Sequence, residues 1–397
     1  MGKRLTSDPY AELGVSSTKK GVHKATEGMY KGLYPGAFCQ IVPMSQAFPE
    51  EIVRDYAQVI HSDGVGTKSN VAYLALKEGV SDKFLYDLAQ DAIVMNTDDM
   101  ACVGVVNDIF ISNHIARNAG RVDDKALAKI IQGYSIFFDK MRELGINLYN
   151  AGGETADVGS YTTTVGIDVT AVASIKKEDV INCGRNIHPR DIIVGLASNG
   201  KATYEDKENS GIRSNGLTLA VNSLLCPYYR EYAEVMDSTI DPEKLFTGEY
   251  SLTDRLDGSS LTIAEAILSP TRTYLPIIRD ILADNIHVSG IIHCSGGGLT
   301  KSLNFGDKLT YVKDDVLKLP VPPIFKAIQS ARKIDDYHMY KTFNMGIGME
   351  VYVRSTLDAE KVIIRAAKYG VDAHIIGHVA AWADKNFVRI GDCDYEK

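Results

Sequence analysis

Two spacings of apolar residues run through this chain. Between residues 125 and 144, Leu127, Ile130, Ile131, Tyr134, Phe137, Phe138, Met141 and Leu144 fall on one helical stripe, which reads as core. From Thr162 to Ile175 apolar and polar residues alternate, the mark of a long strand. Short apolar runs read as strands at 57–60, 146–149, 191–197, 286–293 and 374–381, and the proline-bounded run PGAFCQIVP reads the same way over 35–43. Helical spacing returns after Lys68, over 217–226, on Leu275, Ile278 and Leu282, and over 357–369. It also marks Val22, Ala25 and Met29 behind the capping residues Ser16, Ser17 and Thr18. Residues 84–106 are rich in apolar residues yet carry Asp91, Asp98 and Asp99. Strands alternating with helices in both halves predict an α/β class with α+β-like mixed sheets. The polar, Gly- and Pro-containing stretch 176–191 sets a boundary, giving domains 1–177 and 178–397.

Composition narrows the picture without changing it. The 397 residues are 45% hydrophobic and 24% charged, as in a globular enzyme. Net charge is −8 and no Lys/Arg cluster stands out, which argues against a nucleic-acid partner. No apolar run approaches ~18 residues and the first ten residues lack a signal-type core, so neither a membrane span nor a leader is expected. The six cysteines are scattered singly, without CxxC or Cys/His spacing, which points to reduced thiols and a cytoplasmic location.

Chemistry concentrates first at His61–Lys68, HSDGVGTK, between a strand-type run and a helix. Gly64 and Gly66 let the backbone approach an anion, Thr67 and the helix start supply N–H groups, and Lys68 adds a charge suited to phosphate. Asp63 would repel phosphate unless a divalent cation lay between them, so Mg²⁺ is implied. Asp63, Asp98, Asp99, Asp108, Glu154 and Asp157 all fall at loop positions of the first half, and converging carboxylates need a cation. In the second half, SNG occurs twice and SGGG once, and Arg213 and Arg272 are candidates for bidentate anion binding. No GxSxG, HExxH or triad spacing occurs.

SDGVGTK (62–68), VND (106–108), GGETAD (152–157), GLASNG with SGIRSNG (195–216), SPTRTY (269–274), HCSGGG (293–298), FNMGIGM (343–349) and IGHV (376–379) occur in this order. In that order they resemble the phosphoribosylformylglycinamidine cyclo-ligases, also called AIR synthetases, from about residue 9 to about 380. The resemblance implies a two-domain AIR synthetase-like fold whose N-terminal sheet pairs with its copy in a homodimer. It implies ATP as co-substrate, Mg²⁺, and closure of formylglycinamidine ribonucleotide to aminoimidazole ribonucleotide with release of ADP and phosphate. It implies catalytic roles for Lys68, Glu154, Asp157 and Asn215. Nucleotide contacts are implied at Asp63, Gly64, Gly66, Thr67, Lys68, Asn107, Gly152, Gly153, Ser214, Gly296 and Gly297. Mg²⁺ ligation is implied at Asp63, Asp99, Asp108 and Glu154, with Asp98 the alternative to Asp99.

The chain departs from this pattern at three places. The Gly-Ala-x-Pro turn expected after VND is missing, Arg213 stands where the family has a histidine, and residues 201–212 separate SNG from RSNG. The polar stretch 201–216 is expected to be a mobile lid, with Arg213 as an electrostatic clamp on phosphate. Sister enzymes sharing the ATP half stay as alternatives: selenophosphate synthetase, thiamine-monophosphate kinase, the hydrogenase-maturation dehydratase and the glutamine-dependent synthetase. Against two of these, Cys39 lies in a proline-bounded apolar run and Cys393 is followed by DYEK. An inactive nucleotide-binding paralogue is the other alternative.

Overall fold

A computed structural model of the chain describes residues 7–15, 24–26, 28–284, 286–381 and 384–396. The helix expected on Val22, Ala25 and Met29 lies largely outside them. The first half contains β1 (Ile41–Pro43), α1 (Glu50–Asp55), β2 (Tyr56–Gly64), α2 (Lys68–Lys77), α3 (Phe84–Ala101), β3 (Ile109–Arg117), α4 (Asp124–Glu143), β4 (Leu148–Asp157) and β5 (Val165–Lys176). Its strands form one sheet in the order β1-β2-β5-β3-β4, antiparallel except for β3 and β4.

Alternation decides which face of this sheet is buried. In β5, Val165, Ile167, Val169, Ala171, Ala173 and Ile175 turn inward, while Asp168 and Ser174 are exposed. The inward face packs on α3, and α4 packs on α3 in turn with the stripe read from the sequence. Asp123 caps α4 by accepting from the Ala126 N–H at 2.8 Å. The outward face carries an apolar row along the register Ile60, Val172, Phe110 and Tyr149. Ile60 is 50% exposed and Phe110 49%, and the Phe110 and Tyr149 rings stack at 5.0 Å. GGETAD, expected as a loop, is the second half of β4, because a register shift after Ile111 lets the strand stay paired with β3 through Asp157.

The second half contains α5 (Cys183–Asn186), β6 (Ile192–Ala197), α6 (Leu217–Leu224), α7 (Ile263–Ile267), α8 (Leu275–Ala283), β7 (Val288–His293), β8 (Leu309–Val312) and α9 (Pro323–Arg332). It ends with α10 (Asp336–Thr342), β9 (Ile347–Val353), α11 (Thr356–Lys368), β10 (Ala373–Ala381), β11 (Phe387–Ile390) and β12 (Cys393–Glu396). The strands form a seven-stranded sheet in the order β12-β11-β8-β10-β6-β9-β7. Every residue of β9 is buried, so Glu350 has no route to water. Its carboxylate instead accepts from Lys313 Nζ at 2.5 Å and from the Tyr352 hydroxyl at 2.6 Å. Removing one partner of such a pair leaves a bare charge in the core. Glu350→Ala is therefore expected to lower the unfolding free energy by about 3–5 kcal/mol. Lys313→Met with Glu350→Leu should recover most of it; the denaturant midpoints of the two variants check this.

Candidate active site at the junction of the two halves

The loop read from the sequence is present as a strand–turn–helix. β2 ends at Gly64, Val65 N–H donates to the Ile167 carbonyl at 3.1 Å, and α2 begins at Lys68. Gly64 is required by close approach, since a Cβ there would sit 2.6 Å from the Ile167 carbonyl oxygen. Gly66 is required by its backbone, with φ at +57°. Asp63 and Gly64 line an open cavity of about 400 Å³ on the outward sheet face, together with His114 and Asp168. Thr67 turns toward the second half, where its hydroxyl meets that of Thr218 at 2.8 Å.

Lys68 does not project into this loop. It is fully buried, and its Nζ donates to Asp91 Oδ1 and to the Ser269 carbonyl, each at 2.6 Å. Burial lowers its pKa, and Asp91 opposes that shift. The same Asp91 oxygen accepts from the Thr271 N–H at 2.7 Å and from the hydroxyls of Thr271 and Ser214 at 2.5 and 3.3 Å. Lys68, read from the sequence as a charge suited to phosphate, is instead spent inside the fold: it pins α2 to α3 and both to the second half.

A second buried cluster joins the halves seven residues along α3. Asp98 Oδ1 accepts from the Thr273 hydroxyl at 3.0 Å and the Tyr274 N–H at 3.1 Å, and Asp98 Oδ2 accepts from Arg213 at 3.2 Å. Arg213 also lies 2.6 Å from His293 Nε2 and donates to the Arg272 carbonyl at 2.9 Å. His293 Nδ1 meets Asp99 Oδ1 at 2.5 Å, and His61 Nε2 lies 3.3 Å from the other Asp99 oxygen. Burial works to raise the Asp99 pKa, but the two imidazoles override it and hold this carboxyl well below the usual range. For His61, burial works to lower the pKa and the Asp99 carboxylate wins, raising it.

These contacts correct two further expectations. Arg213 is 1% exposed, with φ at +61°, and its guanidinium is engaged by Asp98, His293 and the Arg272 carbonyl, so it does not reach out as a clamp. The stretch 201–216 is not a free lid. Glu205 accepts from Arg272 Nε at 2.9 Å and Nη2 at 2.5 Å, Arg272 donates to the carbonyls of Ala197, Asn199 and Gly200, and residues 209–213 are buried.

The other predicted residues separate into groups. Ser214 and Asn215 follow Arg213, and Asn215 faces Gly296, whose Cβ position lies 3.5 Å from Asn215 Oδ1. Gly297 begins the turn after β7 with φ at +96°. Gly152, Gly153 and Glu154 lie exposed in β4, and Gly153 passes so close to the Asn113 carbonyl that a Cβ would sit 2.1 Å from it. Asp157 is spent on Arg117, which donates to it at 2.6 Å. Asn107 and Asp108 sit before β3, where they accept from the Asn147 backbone N–H at 2.6 Å and from the Tyr149 hydroxyl at 3.0 Å.

Asp108 and Glu154 cannot share an ion. His114 pairs with Glu154 and Ile109 with Leu148, so the two acids are six strand positions apart, roughly 20 Å at strand rise. Asp99 is committed to two histidines. Among the described residues no three His, Cys, Asp or Glu side chains are grouped to hold a metal. The four acids expected as Mg²⁺ ligands thus do not assemble in one chain. Asp91, Asp168 and His293 were not singled out as site residues by the sequence. The signal for Asp91 was its spacing from Asp98, seven residues on the same face of a helix rich in apolar residues.

Residues 46–175 match the AIR synthase related protein N-terminal domain and residues 242–388 the C-terminal domain. Together with the motif order and the paired mixed sheets, this makes the chain a member of the AIR synthase-related family. Among its relatives is the phosphoribosylformylglycinamidine cyclo-ligase of Methanocaldococcus jannaschii, 34% identical over 338 residues that cover 85% of this chain and 82% of the relative. The enzyme of the same name from Citrifermentans bemidjiense is 32% identical, covering 80% and 78%. In fold, the chain is similar to T. maritima PurL complexed with ADP, with a TM-score of 0.54 and 11% identity over 97% of this chain and 49% of that one. It also superposes with a TM-score of 0.54 and 13% identity on a chain of a HypE–HypF complex, covering 95% and 99%.

The buried Lys68 yields a test. Lys68→Ala should lower the unfolding free energy by about 3 kcal/mol or more, because Asp91 loses its cation in a dry site. Chemical denaturation at neutral pH measures this, and a midpoint within error of wild type would contradict the role given to the pair.

Proposed function

We propose that this protein closes the imidazole ring of aminoimidazole ribonucleotide, using ATP and formylglycinamidine ribonucleotide and releasing ADP and phosphate. The observation that carries the reading is the 34% identity to a cyclo-ligase over 85% of the chain and 82% of the relative. The local geometry supports it, since a two-glycine turn at a helix start stands between the halves as an anion cradle needs.

In this reading ATP phosphorylates the formyl oxygen of the substrate. The amidine nitrogen then attacks the activated carbon, the C–O bond to phosphate breaks, and the nitrogen gives up its proton. Such a reaction asks for positioning more than for covalent chemistry. The helix start at Gly66 and Thr67 holds phosphate through backbone N–H groups, and Asn215, Gly296 and Gly297 form the opposing polar surface. Lys68, Asp98, Asp99 and Arg213 act by fixing these elements in place. Glu154, Gly152 and Gly153 are offered from β4 on the outward sheet face. The four acids expected around Mg²⁺ do not fit one ion, so no step here runs through a metal. We keep domains 1–177 and 178–397, a division supported by the first sheet's last strand ending at Lys176 and the second sheet's first strand beginning at Ile192.

We place a second copy of the chain on the outward face of the first sheet. The row Ile60, Val172, Phe110 and Tyr149 leaves apolar surface uncovered, and Asp63 and Asp168 stand beside it on the same face. A location in the cytoplasm agrees with free cysteines throughout.

Incubation of the purified protein with both substrates should release phosphate only when both are present, and absence of turnover would overturn the assignment. Sedimentation at micromolar concentration should give a dimer, and Phe110→Asp should shift it toward monomer; a monomeric wild type would remove the second copy.

A further inference from the structure

Lys68, Arg213, Arg272 and Lys313 are each buried against a carboxylate. Lys301 differs from all four. It is half-buried, and among the described residues it makes no ion pair. Its Nζ donates to the Ser295 hydroxyl at 3.3 Å and lies 5.3 Å from the centre of the Phe38 ring. That ring stacks on Phe305 at 5.2 Å, which fixes the apolar stem of the lysine.

Other donors stand around this cation. The turn after β7 is closed by the Gly298 N–H, which donates to the Ser295 carbonyl at 2.9 Å, while the N–H groups of Gly296 and Gly297 have no partner among the described residues. A Cβ on Gly297 would lie 3.8 Å from both Cα and Cδ of Lys301, so turn and lysine are in contact. Asn215 stands across Gly296, and its amide meets only the Met95 sulfur, at 3.8 Å. A half-buried cation without a counter-ion is costly, and a bound anion offsets that cost.

Shape and position select the anion. A phosphate monoester ends its molecule with roughly two charges and three acceptor oxygens. A point cation, a hydroxyl and a turn of unpaired N–H groups match that headgroup. The polyphosphate of ATP is already given the helix start at Gly66 and Thr67. Asn215 separates the two places, since Thr218, three residues on, meets the Thr67 hydroxyl at 2.8 Å. A phosphoryl donor held on one side can then meet an acceptor anchored on the other by its own phosphate.

We infer that the Ser295–Gly297 turn, with Lys301 and Asn215, takes the 5′-phosphate of the ribonucleotide substrate. The inference rests on the reaction proposed above. It gives a binding role to Lys301, which lies beyond the HCSGGG motif at 293–298.

Calorimetric titration of the full chain with formylglycinamidine ribonucleotide, with the same nucleoside lacking phosphate, and with ADP tests this. Lys301→Met keeps the stem against Phe38 and removes the charge. It should weaken the ribonucleotide about ten- to hundredfold and leave the nucleoside and ADP unchanged. Lys301→Arg retains the charge and should bind the ribonucleotide within several-fold of wild type. Thermal midpoints report folding, and if Lys301→Met does not fold, Lys301→Gln decides in its place. Ribonucleotide affinity unchanged in the folded variant would put the phosphate elsewhere, as would equal wild-type affinity for ribonucleotide and nucleoside. Loss of ADP instead would give the lysine to ATP and overturn the inference. A wild type that binds the ribonucleotide through Lys301 but does not turn it over would overturn the reaction and leave this site standing. One that does not bind the ribonucleotide would overturn both.

Discussion

Carboxylates buried on α3 need partners that α3 cannot supply, and this requirement organises the molecule. Asp91 and Asp98 lie on one face of a helix that is almost wholly enclosed. An ionised carboxylate in such a place is costly unless it is paired and hydrogen-bonded. For Asp91 the donors are Lys68 at the start of α2 and Thr271 from the second half; for Asp98 they are Arg213, Thr273 and Tyr274. The turn at Gly64–Thr67 inherits its position from this arrangement, because the lysine that closes it is anchored beneath.

The anchoring changes how the basic residues are to be understood. Lys68, Arg213 and Arg272 look like phosphate ligands in a string of letters, since all three stand beside glycine turns or capping residues. In the folded chain their charges are neutralised by Asp91, Asp98 and Glu205 in sites that exclude water. They shape the backbone that surrounds the ligand. Arg213 accepts a left-handed backbone between Gly211 and Gly216, itself an unfavourable conformation, and the ion pair with Asp98 offsets that strain.

The architecture was legible where it depends on local spacing. The stripe of α4, the alternation in β5 and the two-glycine turn each declare themselves within twenty residues. What was not legible depends on distance in sequence. Thr271 is 180 residues from Asp91, and His293 is 194 from Asp99, so nothing near α3 announces that its acids will be paired. Polarity alone was also ambiguous in GGETAD, whose glycines suggest a loop but which runs on as a strand because β3 lies alongside. VND at 106–108 matched by letters, yet it stands before β3 at the far end of the sheet from Glu154, whereas Asp98 and Asp99 lie in α3 against the second half.

The buried junction between the halves has a consequence for the chain as a heritable unit. Residues 177–191 have the composition of a linker, and a break there severs no strand. Separated at that point, the first fragment would present Asp91 and Asp98 to solvent beside a wide apolar surface, and the second would present Arg213 and Tyr274. Neither surface resembles the outside of an independent protein. The halves are therefore not interchangeable modules that recombination can pass separately from one chain to another. A change in the acids of one alone leaves an uncompensated charge buried in the other.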